Sequence, residues 1–172
     1  MSRINREFFL GDAVSVARLL PGMEIVMNVG SVPQRYMITE TEAYLGEDDK
    51  ACHASRGRTK RTEVMYLEGG HLYIYFVYGM HWMMNIVTGP AGNPQAVLIR
   101  GAASFEGPGR VTRNIGINGS FNGEDLTTSQ GIWVEDKGYR PAVTEGPRIG
   151  INYAGEPWIS MPWRFRITKN NR

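Results

Sequence analysis

The stretch LYIYFVYGMHWMMNIVT, residues 72–88, decides the fold because two strand-like segments in it flank a single glycine. Residues 72–78 and 82–87 are rich in aromatic and β-branched side chains, which favour β-strands. Gly79 between them is a typical turn residue. The sequence therefore predicts a β-hairpin with its tip at Gly79.

The segments on either side of this hairpin also predict short strands, with only two helices. A helix is expected at residues 12–20, where Asp12 can cap its start and Pro21-Gly22 stops it. One or two helical turns are expected within 107–117. The further strands are predicted at 23–29, 34–44, 96–100, 131–136, 147–151 and 163–168. Together these elements predict an α+β fold: a single domain over residues 1–172 with a curved, mostly antiparallel β-sheet, a few short helices and a protruding hairpin.

Composition places the chain among globular intracellular proteins. Its 172 residues suit one domain, and a hydrophobic content of 42% with 21% charged residues is ordinary for a globule. No run of about 18 apolar residues predicts a membrane span, and the first ten residues lack the pattern of a secretion signal. Cys52 is the single cysteine, so no internal disulfide can form and a reducing, cytoplasmic location is expected. A monomer is the default expectation.

One cluster of cations stands out in a chain whose net charge is only +2. Its four members lie within six residues and are punctuated by glycine: Arg56, Arg58, Lys60 and Arg61. Such a run is often only a solvated loop. It can equally contact phosphates when it lies beside a substrate pocket. The sequence leaves both interpretations open.

The predicted strand at 34–44 carries the candidate chemistry. In an extended strand, Glu40, Glu42 and Tyr44 lie on one face. One carboxylate there is expected to pair with an arginine on a neighbouring strand. The other can accept a proton from water if it lies in a partly apolar cavity. On the hairpin, Tyr73 is interpreted as strand packing, whereas Tyr78 at the tip is too poorly buried for that and is expected to enter a partner.

At this point the chain resembles the 3-methyladenine (alkyladenine) DNA glycosylases, which excise alkylated purines. The likeness covers most of the chain in the same order. The matching stretches are residues 40–46, 56–65, 72–80, 85–89, 96–100, 107–110, 146–151 and 154–158. The relatives carry a longer, arginine-rich connection where this chain has only residues 101–106, so the resemblance predicts a compact member whose DNA-contact surface differs there.

The resemblance implies a role for each candidate residue. Glu42 would be the general base that activates the attacking water, and Arg100 would help to hold that water. The pocket for the extruded base would be lined by Tyr44, His53, Tyr75 and Asn85, with the Asn85 amide disfavouring the exocyclic amine of guanine. Tyr78 would fill the gap left in the duplex, and Glu40 would be structural. The basic loop at 56–61 would contact phosphates.

The implied mechanism suits these side chains. The target nucleotide must leave the base stack before its sugar can be attacked. Aromatic rings then stabilise a cationic alkylated purine by stacking and cation–π attraction. No cofactor or metal is needed, and none of the four lysines lies in the pocket motifs, so base release without strand cleavage is expected. The partner is double-stranded DNA with a damaged purine. The alternative is a non-catalytic nucleic-acid-binding module that uses the aromatic strand as a stacking platform, in which Glu42 would have no use.

Overall fold

The computed structural model describes residues 2–168 of the chain. They contain ten β-strands and three short α-helices. In chain order they are β1 (Ser2–Arg3), α1 (Arg6–Phe9), α2 (Ala13–Leu19), β2 (Glu24–Met27), β3 (Gln34–Tyr44), β4 (Leu72–Val77), β5 (His81–Thr88), β6 (Gln95–Ala102), β7 (Phe105–Glu106), α3 (Pro108–Ile115), β8 (Ile132–Asp136), β9 (Val143–Gly146) and β10 (Arg164–Ile167). Asp12 caps α2 by accepting a hydrogen bond from the Ser15 backbone N–H, as the sequence predicts.

The strands form one sheet in the order β1-β8-β2-β3-β6-β5-β4, and β7 extends β6. Strand β3 is long enough to pair with three strands. Its first half pairs with β2, and its second half pairs with β6 on one edge and with β10 on the other. Strand β9 pairs with β10. Every strand pair within the described residues is antiparallel, so the predicted α+β fold around a mostly antiparallel sheet is confirmed.

The two faces of the central strands have different partners. On one face of strands β3 to β6, the inward-pointing side chains pack with α2 and α3 in the main hydrophobic core. Examples are Ile74, Ile86 and Ile99. Because side chains alternate along a strand, the other face presents the intervening residues. That second face, which the two helices leave uncovered, positions the site.

The hairpin of β4 and β5 ends in a tight turn from Val77 to Met80, closed by a hydrogen bond of 3.1 Å from the Met80 N–H to the Val77 carbonyl. Both central residues have positive φ, 54° at Tyr78 and 64° at Gly79, as in a type I′ turn. The Tyr78 side chain is 88% exposed. The predicted hairpin therefore forms, and its tip presents an unburied aromatic ring.

One strand prediction is wrong. Residues 147–151 are not extended; the strand in this region is β9, which ends at Gly146. The segment after β9 instead turns inward, where Arg148 is buried against Asp49. The apolar pattern of this segment suggested a strand. The segment is held instead by this buried ion pair between two residues 99 positions apart.

Candidate active site

A cavity of about 350 Å³ opens on the face of the sheet that the helices leave uncovered. This volume is in the range of small-molecule sites in proteins. Its wall comes from β3 to β6, from the loop after β3, from the start of α3 and from the segment after β9. The wall includes Tyr44, His53, Tyr73, Tyr75, Tyr78, Asn85, Leu98, Arg100, Pro108, Ile149 and Tyr153. Four side chains proposed from the sequence to line a base pocket, Tyr44, His53, Tyr75 and Asn85, thus lie together.

Glu42 lies directly behind this wall and is fully buried. Its Oε2 accepts a hydrogen bond of 2.7 Å from the Tyr44 hydroxyl, and its Oε1 accepts one of 2.8 Å from the Ile149 backbone N–H. The Arg100 Nε is 3.4 Å from Oε1. Glu42 itself does not line the cavity, whereas all three of these contacts do. The carboxylate is therefore held one layer deeper than the sequence argument assumed.

The surroundings of Glu42 have opposing effects on its pKa. Burial raises the pKa of the carboxyl group and outweighs the lowering by Arg100, the Ile149 N–H, the Tyr44 hydroxyl and Arg148. Burial, together with the neighbouring carboxylate, also raises the pKa of Tyr44 well above its usual value, so its hydroxyl stays a proton donor. The arrangement gives a carboxylate that is more basic than an exposed one.

Glu40 lies two residues before Glu42 on β3, among guanidinium groups. The Arg164 Nη1 donates to its Oε1 at 3.0 Å, and the Arg100 Nε is 3.6 Å away. Arg100 therefore lies between two carboxylates, and its buried Nε has no hydrogen-bond partner within the described residues. Both carboxylates therefore pair with Arg100, but Glu40 also pairs with Arg164, whereas Glu42 lies next to the cavity.

Three rings form the aromatic side of the cavity. The His53 ring packs against Tyr75 with 4.5 Å between centroids, and its Nδ1 is 2.9 Å from the Tyr73 hydroxyl. Burial and the nearby Arg61 and Arg56 lower the pKa of His53 to about 4, so the imidazole is neutral at pH 7. Burial raises the pKa of Tyr73 to about 12. Tyr73, interpreted from sequence as packing, is buried as expected but also orients His53.

Asn85 lies on β5 in the floor of the cavity and is almost fully buried. Its Nδ2 donates a hydrogen bond of 3.1 Å to the Tyr73 backbone carbonyl across the strand pair. This bond fixes the amide in one orientation. The side chain is thus rigid enough to discriminate between hydrogen-bonding patterns on a bound ring.

The four cations of the basic loop are exposed, and none lines the cavity. Two of them lie over aromatic rings instead: Arg61 is 5.5 Å from the Tyr75 ring centroid, and Arg58 is 5.3 Å from that of Tyr66. Within the described residues, none of the four makes a salt bridge to a carboxylate. The loop is therefore a patch of uncompensated positive charge at the edge of the cavity.

Arg148 was missed as a site residue by the sequence argument, although the stretch 146–151 was recognised as part of the resemblance. Its guanidinium is fully buried, makes two hydrogen bonds to Asp49 and lies 4.8 Å from the Tyr44 ring centroid. No local pattern reveals this, because Asp49 and Tyr44 are about 100 positions away along the chain. A charged residue between Pro147 and Ile149, in an otherwise apolar context, was the one available signal.

Other chemistries find no support within residues 2–168. Cys52 is buried, and burial raises the pKa of its thiol to about 11, which argues against a nucleophile. The described region has no group of three His, Cys, Asp or Glu side chains that could hold a metal ion. Lys50, Lys60 and Lys137 are exposed and outside the cavity wall, while Lys169 lies outside the described residues. None of the helices described has the length and apolar character that a membrane crossing requires.

Comparison with known proteins shows the family of this chain. The family model of methylpurine-DNA glycosylase matches residues 7–106 and 102–171. The chain belongs to the methylpurine-DNA glycosylase family. A protein of Borrelia garinii subsp. bavariensis, provisionally named a 3-methyladenine DNA glycosylase, is 41% identical over 97% of both chains. Proteins with the same provisional name from Anaeromyxobacter dehalogenans and Methanocella arvoryzae are 41% and 38% identical over 96% of this chain, and over 83% and 92% of their own.

Family membership makes the chain a hydrolase of N-glycosyl bonds that acts on DNA in base excision repair. It therefore decides against the non-catalytic binding module. The two matched segments of the family model meet at residues 102–106. These residues belong to the tight turn around β7, between β6 and α3, where the resemblance predicted a short connection.

Proposed function

We propose that this glycosylase releases alkylated purines from duplex DNA, with Glu42 as the general base and an extruded purine held in the cavity. The observation that carries the proposal is a fully buried carboxylate directly behind a cavity with aromatic walls, held by two hydrogen bonds and by an ion pair with Arg100. A buried anion next to a polyanionic substrate would be unfavourable unless it took part in the chemistry or in its support.

In this proposal Tyr44 and Tyr75 stack on the purine. Each stacked ring contributes about 1–3 kcal/mol, and a cationic alkylated purine gains a further 0.5–2 kcal/mol or so from cation–π attraction. His53 is neutral, so it does not repel that cation. Damage is then selected by ring charge and shape, without readout of the surrounding sequence.

Glu42 then deprotonates a water that attacks the sugar C1′, and the purine departs with the bonding electrons. Because an alkylated purine is already cationic, it leaves as a neutral base and needs no general acid. Arg100 offsets part of the rise in the Glu42 pKa that burial causes, and it helps to place the water. Since Tyr44, Arg100 and Ile149 separate Glu42 from the cavity, the water has to reach the carboxylate between these three groups when the purine is bound.

Tyr78 is proposed to fill the space that the extruded nucleotide leaves in the duplex, and the basic loop, Arg56, Arg58, Lys60 and Arg61, to contact the phosphates beside it. The support for the first is an exposed ring at the end of a rigid hairpin on the rim of the cavity. The support for the second is unpaired positive charge at the same rim. Each phosphate that a cation neutralises makes binding more sensitive to salt.

The deciding experiment compares base release from methylated duplex DNA by the wild-type protein and by Glu42→Gln under single-turnover conditions. We expect the substitution to slow release by about 10²- to 10⁴-fold, the usual contribution of a general base. Glu40→Gln is the matched control, because it removes a charge from the neighbouring carboxylate beside the same arginine, and it should cost much less. Equal losses in the two variants would refute the assignment, and no release by the wild type would refute the function.

A substrate panel tests the range. Because the leaving-group advantage is lost for a neutral base, hypoxanthine should be released more slowly than 3-methyladenine or 7-methylguanine. Release rates from defined duplexes that contain each lesion would measure this order. Faster release of hypoxanthine would indicate a protonating group that the proposed mechanism lacks.

A further inference from the structure

A second buried ion pair lies next to the proposed active site, and no step of the proposed reaction uses it. Arg148 and Asp49 are both fully buried, and the guanidinium binds the carboxylate through two hydrogen bonds of 2.6 and 2.9 Å. Taking two charges out of water is costly, and such a pair is weak evidence for a purely stabilising role. Its contacts instead lead to the parts of the cavity that the reaction needs.

Three contacts connect Arg148 to Glu42 and its neighbours. The guanidinium lies over the Tyr44 ring and donates a hydrogen bond of 3.0 Å to the Ala43 carbonyl, between Glu42 and Tyr44 on β3. The residue after Arg148 supplies the backbone N–H that binds the Glu42 Oε1. The Trp163 ring lies 4.9 Å from the same guanidinium. A shift of Arg148 would therefore move the Tyr44 ring and the Ile149 amide together.

Asp49 extends the same unit into the loop after β3. Its two carboxylate oxygens accept hydrogen bonds of 3.0 Å from the backbone N–H groups of Leu45 and Ala51. This fixes the loop that leads into Cys52 and His53, which line the cavity. One ion pair thus joins β3, this loop and the segment after β9.

We propose that Arg148 is a positioning residue for base release: held by Asp49, it fixes the Tyr44 ring and the Ile149 N–H so that the Glu42 carboxylate stays correctly oriented behind the cavity. The inference rests on the proposed role of Glu42 and adds to it. Arg148 touches neither the purine nor the water.

The charges around Glu42 make this testable. Arg100 faces Glu42 from β6, Tyr44 from the same strand β3, and Arg148 from the segment after β9. Tyr75 on β4 is also near, because the Glu42 charge raises its pKa. Glu40 lies on the far side of Arg100, where Arg164 pairs with it. Both Arg100 and Arg148 lower the pKa of Glu42, Arg100 more strongly. Loss of the Arg148 charge should therefore raise the pKa of Glu42. Simultaneous loss of the Asp49 charge offsets only part of this rise, because Arg148 is the member of the pair that acts on Glu42.

The principal variant is the double substitution Arg148→Met/Asp49→Asn, which removes the charge without leaving a buried charge unpaired. Arg148→Lys is the companion, because it keeps the charge but loses the paired hydrogen bonds and the planar stack on Tyr44. The matched control is Arg35→Met/Glu135→Gln. It removes an ion pair at the opposite end of β3, where the Arg35 Nη2 is 3.0 Å from the Glu135 Oε2.

The first measurement is the titration of the Glu42 side chain in the protein alone, by carbon-13 NMR of labelled glutamate, with Glu42→Gln to assign the signal. The double variant should titrate at higher pH than the wild type, and the control should superimpose on it. This titration needs no DNA, so it decides whether Arg148 acts on Glu42 independently of base release. If the wild type releases no base, the proposed function is refuted, but the titration still tests the role of Arg148.

The second measurement is single-turnover release of 7-methylguanine from duplex DNA across pH 5–9. We expect the acid limb of the double variant to move to higher pH and its plateau rate to fall by about tenfold or more, the scale of a small misplacement of reacting groups. Arg148→Lys should lose plateau rate with its acid limb in place. The proposal would be overturned if the variants fold and match the wild type in the Glu42 titration, in the acid limb of the pH profile and in the plateau rate. If the double variant does not fold, a wild-type plateau rate in Arg148→Lys would overturn it.

Discussion

Tyr78→Asn is the perturbation that most directly separates what the hairpin tip does for DNA from what it does for the fold. Tyr78 has φ of 54° in a turn whose next residue, Gly79, also has positive φ. Asn-Gly is the preferred pair for such a turn, because asparagine tolerates the left-handed conformation far better than tyrosine does. The substitution therefore fits the backbone better than the native residue.

The effect on stability can be worked from the turn. A bulky residue in the left-handed region costs about 1–2 kcal/mol, and asparagine removes part of that cost. Because the Tyr78 side chain is 88% exposed, little buried surface is lost in exchange. We expect the free protein to gain about 1 kcal/mol, which corresponds to a rise in Tm of roughly 2–4 °C for a domain of this size.

The effect on DNA has the opposite sign. If the Tyr78 ring replaces the extruded nucleotide in the stack, its loss removes about 1–3 kcal/mol of stacking. This lowers the population of the flipped state by about 5- to 150-fold at 1.4 kcal/mol per tenfold. Release from a single strand does not require the wedge and should change little.

The assay pairs thermal unfolding of the free protein with single-turnover release from duplex and single-stranded DNA that carry the same lesion. Tyr139→Asn is the control, since Tyr139 is half-exposed in the loop after β8 and outside the cavity wall. A variant that is both more stable and defective only on duplex DNA matches the expectation. A lower Tm would refute the strain argument, and equal losses on both substrates would refute the wedge.

Three further outcomes follow from the site. Tyr44→Phe removes the hydrogen bond to Glu42 that lowers the pKa of that carboxyl, so the acid limb of single-turnover release should move to higher pH; an unmoved limb would contradict it. The pKa of His53 falls from 6.5 in the unfolded chain to about 4 in the folded one, so the unfolded state binds more protons between these values and stability falls as pH drops through them. His53→Gln should abolish this part of the loss, up to about 3 kcal/mol, in urea titrations at pH 4 and 7. Gly101→Ala places a Cβ 3.1 Å from that of Glu40 and closer still to the neighbouring threonine hydroxyl, so urea unfolding should show a loss of about 1–3 kcal/mol; unchanged stability would mean that β3 can move aside.

The strands were predictable where their pattern is local. In β4, aromatic and apolar residues alternate up to a glycine turn, and the two faces they define are the core face and the cavity face of the structure. The start of α2 was predictable for the same reason, since Asp12 caps it through a contact three residues away. Such features depend on neighbours that sit side by side in the sequence.

The depth of the carboxylate was not predictable. Alternation placed Glu42 on the same face as Tyr44, but its burial depends on Ile149 and Arg148, which lie more than 100 residues further along. The same contacts explain why a strand was wrongly predicted at 147–151: apolar composition carries no information about a buried guanidinium. The sequence indicated which residue types belong to the site, whereas the depth of each one relative to the cavity depends on tertiary contacts.

The burial of Cys52 bears on survival under the conditions that create the substrate. Methylating agents that modify purines also react with sulfur, and they do so through the thiolate. With a pKa of about 11, only about one thiol in 10⁴ is ionised at pH 7. Cys52 therefore offers almost no thiolate to an electrophile, and this part of the cavity wall resists S-methylation by the agents that create the substrate.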